Sequence, residues 1–518
     1  MTETREGRGS VCVIGAGIAG LVTAKVFGED GFDVTVFEKE SALGGTWAAA
    51  RSYPGLRTNN CKYIYAFSDF PYPESVDVFP QADQVRAYLE SYADHFGIRS
   101  RIIFNRQVNR IARSGVSSDR YEIVLQPSSG GAIRRAEFDF VVVCNGVFHL
   151  PHMPTIEGMA DFTGRIVASC DVTDTIYEQS KHPIVVGGGK SALDSATAAA
   201  KRGLLPTLVF RHPHWIAPRF LPGGIPGDFV ILLRLTASTL RYHELHGIDR
   251  FLQTVGKPLS DLWWAFVSFI FPKILGMPRE LTPDPLPHDL ERIGVGGEFF
   301  DEFNAGRARA VAGEIKRFKQ NSIQLTNGQE IPADLVIFAT GWEQELSFLA
   351  DDLHEEIVHE GRFRLYRHLL PPTAQRVGFV GYASSVASQL TAEIGAHWLS
   401  QCFLGALSLP SVEDMEQEID RVHAWATESM PNRRAGYFVG AFVPQYVDDL
   451  VRDMGLPTKR TGNFIKEYLT PFFASRFSSL AEERRRVREG LAALPRGFYF
   501  SSVHAGVAAL VIVLVVLW

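Results

Sequence analysis

Short apolar runs that end in glycine turns, each leading into a stretch of helical spacing, set the pattern of this chain. The run Val11-Cys12-Val13-Ile14 meets Gly15-Ala16-Gly17-Ile18-Ala19-Gly20, and Ile184-Val185-Val186 meets Gly187-Gly188-Gly189-Lys190-Ser191-Ala192. An apolar run bounded by glycine fits a buried strand, and the stretch after each turn fits a helix. Each turn then sets backbone N–H groups at a helix start, where a dinucleotide pyrophosphate can bind. After the first turn come a helix over residues 21–29, a break at Gly31 and a second strand, Asp33-Val34-Thr35-Val36-Phe37, that ends in Glu38. A carboxylate there accepts both hydroxyls of an adenosine ribose and repels a 2′-phosphate, so the first site prefers FAD or NAD to NADP.

The second turn differs at the matching place. Its next strand, Thr207-Leu208-Val209-Phe210, ends in Arg211, whose guanidinium fork can hold a 2′-phosphate. Lys190 adds positive charge inside the turn, and Ala192 replaces the third glycine. These residues read as an NADPH site, with NADH the alternative. The phosphate-loop spacing G-x-x-x-x-G-K-S is not met, because position 184 is Ile. His212 and His214 read as loop residues, and no metal site is expected. Two later segments, Asp139-Phe140-Val141-Val142-Val143-Cys144-Asn145-Gly146 and Asp334-Leu335-Val336-Ile337-Phe338-Ala339-Thr340-Gly341, repeat an acid, an apolar strand and a small-residue turn. Both read as strands returning to a nucleotide site.

The expected fold class is α/β, with two Rossmann-type dinucleotide-binding domains. A split FAD domain (residues 1–160 and 331–405) holds an inserted NADPH domain (161–330), which itself carries an apolar insertion at 222–300. A mostly helical segment (406–497) and an apolar tail (498–518) complete the chain. The insertion contains Asp261-Leu262-Trp263-Trp264-Ala265-Phe266-Val267-Ser268-Phe269-Ile270-Phe271, too short and interrupted to span a bilayer. It reads as a buried helix, an apolar channel wall or a surface that dips into lipid.

With 518 residues, 46% hydrophobic content and a formal charge of −6, the chain is core-building and carries no basic excess that calls for nucleic acid. Its 5 cysteines form no C-x-x-C pair, which argues against a redox dithiol and a disulfide framework. The tail from Ala505 is aliphatic and uncharged. A helix over 498–518 would rise ~31 Å, about one hydrocarbon core, and the aliphatic part alone ~21 Å. Arg484, Arg485, Arg486, Arg488 and Arg496 precede it as cationic flank. This predicts a membrane-associated protein whose catalytic part faces the cytoplasm; a last helix or strand packed in a groove is the alternative. Glu393 and His397, one helical turn apart, fit structural capping or a proton relay.

Further motifs carry a resemblance. Gly44-Gly45-Thr46-Trp47 comes after Glu38 and Lys39; then come Tyr53-Pro54-Gly55-Leu56-Arg57-Thr58-Asn59-Asn60-Cys61-Lys62 and Phe67-Ser68-Asp69-Phe70-Pro71-Tyr72-Pro73. Farther on stand Phe338-Ala339-Thr340-Gly341-Trp342 and Phe379-Val380-Gly381-Tyr382-Ala383-Ser384-Ser385. Over about residues 10–405 the chain resembles the class B flavin-dependent monooxygenases, most of all the flavin-containing monooxygenases. The resemblance implies that NADPH reduces FAD, that O2 then forms a C4a-(hydro)peroxyflavin, and that a lipophilic soft nucleophile is oxygenated at N or S. It places Gly15, Gly17, Gly20, Glu38 and Lys39 on FAD, with Gly44, Gly45, Thr46 and Trp47 lining the flavin and Thr58, Asn60, Thr340 and Gly341 at the cofactor. Gly187, Gly189, Lys190, Ser191, Ala192 and Arg211 fall to NADPH. The family's active-site Asn lies three before a Lys, which selects Asn59, with Asn60 or an ordinary turn as alternatives. The family fingerprint F-x-G-x-x-x-H begins with Phe162-Thr163-Gly164, but Ala168 stands in place of His. N- or S-oxygenation therefore stays beside Baeyer–Villiger oxygenation, an uncoupled NADPH oxidase and a non-catalytic flavoprotein. The oligomeric state is open.

Overall fold

The computed structural model of the chain describes residues 8–115, 119–286, 293–430 and 436–491. The apolar runs become strands β1 (Ser10–Ile14), β2 (Asp33–Phe37), β3 (Ile102–Ile103), β4 (Phe140–Val143), β5 (Arg165–Ala168), β6 (Pro183–Val186), β7 (Thr207–Phe210), β8 (Arg309–Ala312), β9 (Leu335–Phe338) and β10 (Val377–Phe379). They form two 5-stranded parallel sheets, ordered β10-β4-β1-β2-β3 and β8-β7-β6-β9-β5. Val11, Cys12, Val13, Val141, Val142 and Val143 are fully buried, as in a parallel sheet covered on both faces. Helix α1 (Ile18–Glu29) comes after the first turn and α2 (Lys190–Lys201) after the second. Three more matter below: α3 (Lys257–Leu275), α4 (Ser388–Phe403), which packs on α1, and α5 (Leu480–Arg488).

The acid that opens each repeated strand ties down the foot of its sheet. Asp139 accepts the Ser10 N–H at 2.7 Å and the Ser10 hydroxyl at 2.8 Å. Asp334 accepts the Ser180 hydroxyl at 2.6 Å and the Lys181 N–H at 2.8 Å. In both carboxyls partial burial opposes ionisation, but these hydrogen bonds win and hold the group below the usual aspartate range.

One boundary moves. Residues 331–341 were expected in the first domain, yet β9 pairs with β5 and β6 in the second sheet. The reason is the repeat itself: β4 already fills this place beside β1, and β9 fills it beside β6. The chain crosses back where Leu150–Pro151 pairs with Trp342–Glu343. Ala168, at the fingerprint His position, is buried at the end of β5 opposite Phe338.

The arginines expected to flank a membrane anchor have other partners. Arg484 is 2% exposed and reaches Asp30 at 2.8 Å, and Arg488 reaches the same carboxylate at 3.0 Å. Arg485 pairs with Glu482 and Glu489, and Arg486 with Glu482. Arg496 and the tail at 498–518 lie outside the described residues. Among the described residues no helix is long and apolar enough to cross a membrane.

Candidate active site

A cavity of about 740 Å³ runs between the two glycine turns. Gly15 and Gly17 border it from the first turn, with Glu38 and Lys39 beyond β2 and Gly44, Gly45, Thr46 and Trp47 beside them. Asn59 and Asn60 line it from the next loop, and Lys190 and Ser191 from the second turn. The remaining expected residues do not: Gly20, Gly187, Gly189 and Ala192 form the turns behind the wall, and Thr58 is buried with its N–H on the Pro80 carbonyl at 3.0 Å. Thr340 and Gly341 serve the crossing strand pair instead. The Thr340 hydroxyl donates to the His152 carbonyl at 2.6 Å, and the Gly341 carbonyl accepts the His152 N–H at 2.9 Å.

Close backbone approach explains the glycines. Gly15 has φ +99°, and a Cβ there would stand 2.8 Å from the Cys144 carbonyl oxygen. A Cβ on Gly20 would fall 1.8 Å from the Gly15 oxygen, whereas one on Gly17 would make only ordinary contact, 3.5 Å from the Gly45 Cα. Helix α1 begins after Gly17 without a side-chain cap, so its first N–H groups point outward unclaimed by a side chain. Glu38 is 6% exposed; its two oxygens accept the Ala16 N–H at 2.7 Å and the Glu40 N–H at 2.9 Å. The carboxylate keeps spare lone pairs for two further donors.

The second turn repeats this geometry. Gly187 has φ +140° and would collide with the Ala339 carbonyl if it carried a Cβ. A Cβ on Gly188 would lie 2.9 Å from the His214 ring, so this loop histidine packs over the turn. Gly189 caps α2 with no side-chain hydrogen bond. Lys190 folds back onto Asp194. The Tyr53 hydroxyl donates to the same Asp194 at 3.0 Å, which joins a first-domain loop to α2; burial pushes that phenol far above its usual range. Arg211 stands off the cavity wall, its side chain 74% exposed and 4.0 Å from Glu314.

The loop that carries Asn59 is pinned from several sides. The ammonium of Lys62, buried below it, donates to the Glu74 and Val76 carbonyls at 2.9 Å each. The Lys of the Asn-x-x-Lys spacing is therefore a loop anchor. Asp228, from the apolar insertion, accepts the Cys61 N–H at 2.7 Å and also lines the cavity. Burial pushes its carboxyl up to about 6. Asp228 was not anticipated; the available signal was a lone acid among Gly227, Phe229, Val230 and Ile231. Ile231, Leu232, Leu233 and Trp264 of the insertion form the apolar wall. Helix α3 thus lines the cavity with Trp264 while Leu259, Leu262 and Phe269 face outward.

Glu393 is bonded to Ser68 of the first domain. It lies inside α4 and accepts the Ser68 N–H at 2.8 Å and hydroxyl at 2.7 Å, and burial pushes it up to about 7. His397 is held far below its ordinary value by burial. The 5 cysteines are free; burial raises Cys12, Cys61, Cys144, Cys170 and Cys402, leaving no reactive thiolate.

Two parallel sheets with facing glycine turns on one cavity define a flavoprotein oxidoreductase built for two dinucleotides. The chain belongs to the flavin-binding monooxygenase-like family, whose profile matches residues 8–248 and 302–460 and leaves a gap inside the apolar insertion. It is 29% identical to "Probable flavin-containing monooxygenase 1" of Arabidopsis thaliana, over 92% of this chain and 97% of that protein. The structure of S-allyl-L-cysteine S-oxygenase from Allium sativum superposes with a TM-score of 0.61 at 19% identity, covering 97% of this chain and 98% of that one. The OTEMO complex with FAD and NADP gives 0.63 at 17% identity, over 81% and 90%. The protein is a flavin-dependent monooxygenase.

Proposed function

We propose that the chain binds FAD at the first turn and NADPH at the second, and oxygenates a lipophilic soft nucleophile, an amine or a thioether. The observation that carries this reading is the single cavity that touches both turns and is closed by the apolar wall of the insertion. The residues fit the two cofactors. Backbone N–H groups after Gly17 and Gly189 are open to a pyrophosphate, Glu38 suits a ribose, and exposed Arg211 can swing onto a 2′-phosphate. The chemistry that FAD and NADPH supply is two-electron activation of O2, so that one oxygen atom enters the substrate and the other leaves as water.

The chain's own residues orient, exclude water and supply hydrogen bonds. Trp47, fixed by its N–H to the Tyr65 hydroxyl at 3.1 Å, and Gly44-Gly45 shape the flavin edge of the cavity. The Asn59 amide donates to that edge without offering an acidic proton. Ile231, Leu232 and Trp264 keep water out and select an apolar substrate.

The test is an electron count in detergent with methyl phenyl sulfide and a tertiary aryl amine as probes. Sulfoxide or N-oxide should account for most NADPH consumed, with hydrogen peroxide a minor product. Release of nearly all electrons as hydrogen peroxide with every probe, or no flavin reduction by NADPH, overturns the reading. Asn59→Ala should keep FAD and fast anaerobic reduction while product per NADPH falls at least tenfold; loss of FAD instead would make Asn59 structural.

A further inference from the structure

The apolar insertion sends one charged side chain into the first domain, and it lands on the loop that bears Asn59. Asp228 is 8% exposed and opens the one-turn helix Asp228–Ile231. Its carboxylate accepts the Cys61 N–H at 2.7 Å, and the Asn60 side chain is also directed to it. The start of that helix is fixed: the Gly227 N–H donates to the Arg219 carbonyl at 2.7 Å, and a Cβ on Gly227 would stand 2.1 Å from the Pro218 oxygen. The next residue, Phe229, packs on Tyr63 with ring centroids 6.1 Å apart. Ile231 and Leu232, within the same short stretch, form cavity wall. One rigid element therefore touches both the apolar wall and the turn beside the flavin edge.

We propose that Asp228 is the positioning residue of the Asn59-Asn60-Cys61 turn: its carboxylate holds the turn by the Cys61 amide and couples the place of Asn59 to the wall on which the substrate packs. This rests on the role given to Asn59 above. A hydrogen bond from a backbone N–H to a carboxylate is stronger than a neutral one, so a single contact suffices to fix a loop already held by Lys62 at its other side.

The test uses the full-length protein with Asp228→Leu and Asp228→Asn. The amide oxygen of Asn can still accept the Cys61 N–H, and Leu cannot. Per bound FAD, Asp228→Leu should lose at least tenfold in product per NADPH, with the KM for NADPH within twofold of wild type. The visible circular dichroism of its bound oxidised FAD should change, a readout that needs no turnover. Asp228→Asn should recover most of both signals. Wild-type coupling and dichroism in Asp228→Leu, or an Asp228→Asn no better than Asp228→Leu, overturns the proposal. Should Asp228→Leu purify without FAD, Asp228→Ser replaces it, because its hydroxyl is too short to reach the amide, and the same outcomes decide. Asn59→Ala is measured alongside. Full coupling there overturns the role of Asn59 whatever Asp228 does; lost coupling there with full coupling in Asp228→Leu overturns the Asp228 proposal alone.

Discussion

In the first turn the charged residue after the second strand, Glu38, is buried with both oxygens on backbone amides; in the second, Arg211 stays in solvent beside Glu314. The difference arises from the groups a glycine turn offers. Its N–H groups are abundant and outward, so an acceptor-only carboxylate can be buried there fully bonded. A guanidinium brings five donors to a place with few free carbonyls, so it waits in water, where its ion pair at 4.0 Å contributes little. On the proposed reading the first site is preassembled, and the second needs Arg211 to move onto its ligand. The third glycine separates them too: Gly20 has no room for a Cβ, whereas the second turn already carries Ala192.

The contrast can be broken most forcefully at Gly20. Gly20→Ala should cost about 3 kcal/mol or more by overpacking, and the purified protein should lack the flavin absorbance. Flavin retained at wild-type level would show that the first turn is as tolerant as the second. Glu38→Ala comes next, because it strips the acceptor from two amides, at roughly 1–3 kcal/mol each. FAD dissociation, tracked by fluorescence, should rise at least tenfold, with little change in the KM for NADPH. Arg211→Ala should raise the KM for NADPH about tenfold, or ~1.4 kcal/mol, and leave FAD content, melting temperature and the KM for NADH unchanged. The smallest effect belongs to a feature both sheets share. Asp139→Asn and Asp334→Asn should each lower stability by about 1 kcal/mol at neutral pH. Both carboxyls are depressed in the folded protein, so this contribution is present above the ordinary value of 3.8 and lost as pH falls below it through the lowered folded value. Melting curves across that range should show the deficit of each variant shrink at the acid end.

The strands, turns and helix starts at both nucleotide sites are readable in the sequence because each residue type there answers a local demand: a positive φ at Gly15 and Gly187, an acceptor at Glu38. The placement of β9 is not local. An acid, an apolar run and a small-residue turn describe β4 and β9 equally, and only pairing decides which sheet receives each. The same limit hid Asp228, which meets Cys61 across a long sequence separation, and it misdirected the arginines after Leu480. A run of arginines near an apolar tail looks like a flank; the buried Asp30 that claims Arg484 and Arg488 is far away in sequence.

That contact also decides how much of the chain can be removed. Asp30 sits at the end of α1 remote from the glycine turn, where Ser400, Arg484 and Arg488 converge on it. Shortening the chain ahead of α5 would remove both arginines together with the helix that helps to cover Asp30, so the shortened protein should melt at a lower temperature. A shortened chain should therefore be cut after Leu491, which keeps α5 and its contacts with Asp30, and not at the start of the arginine run.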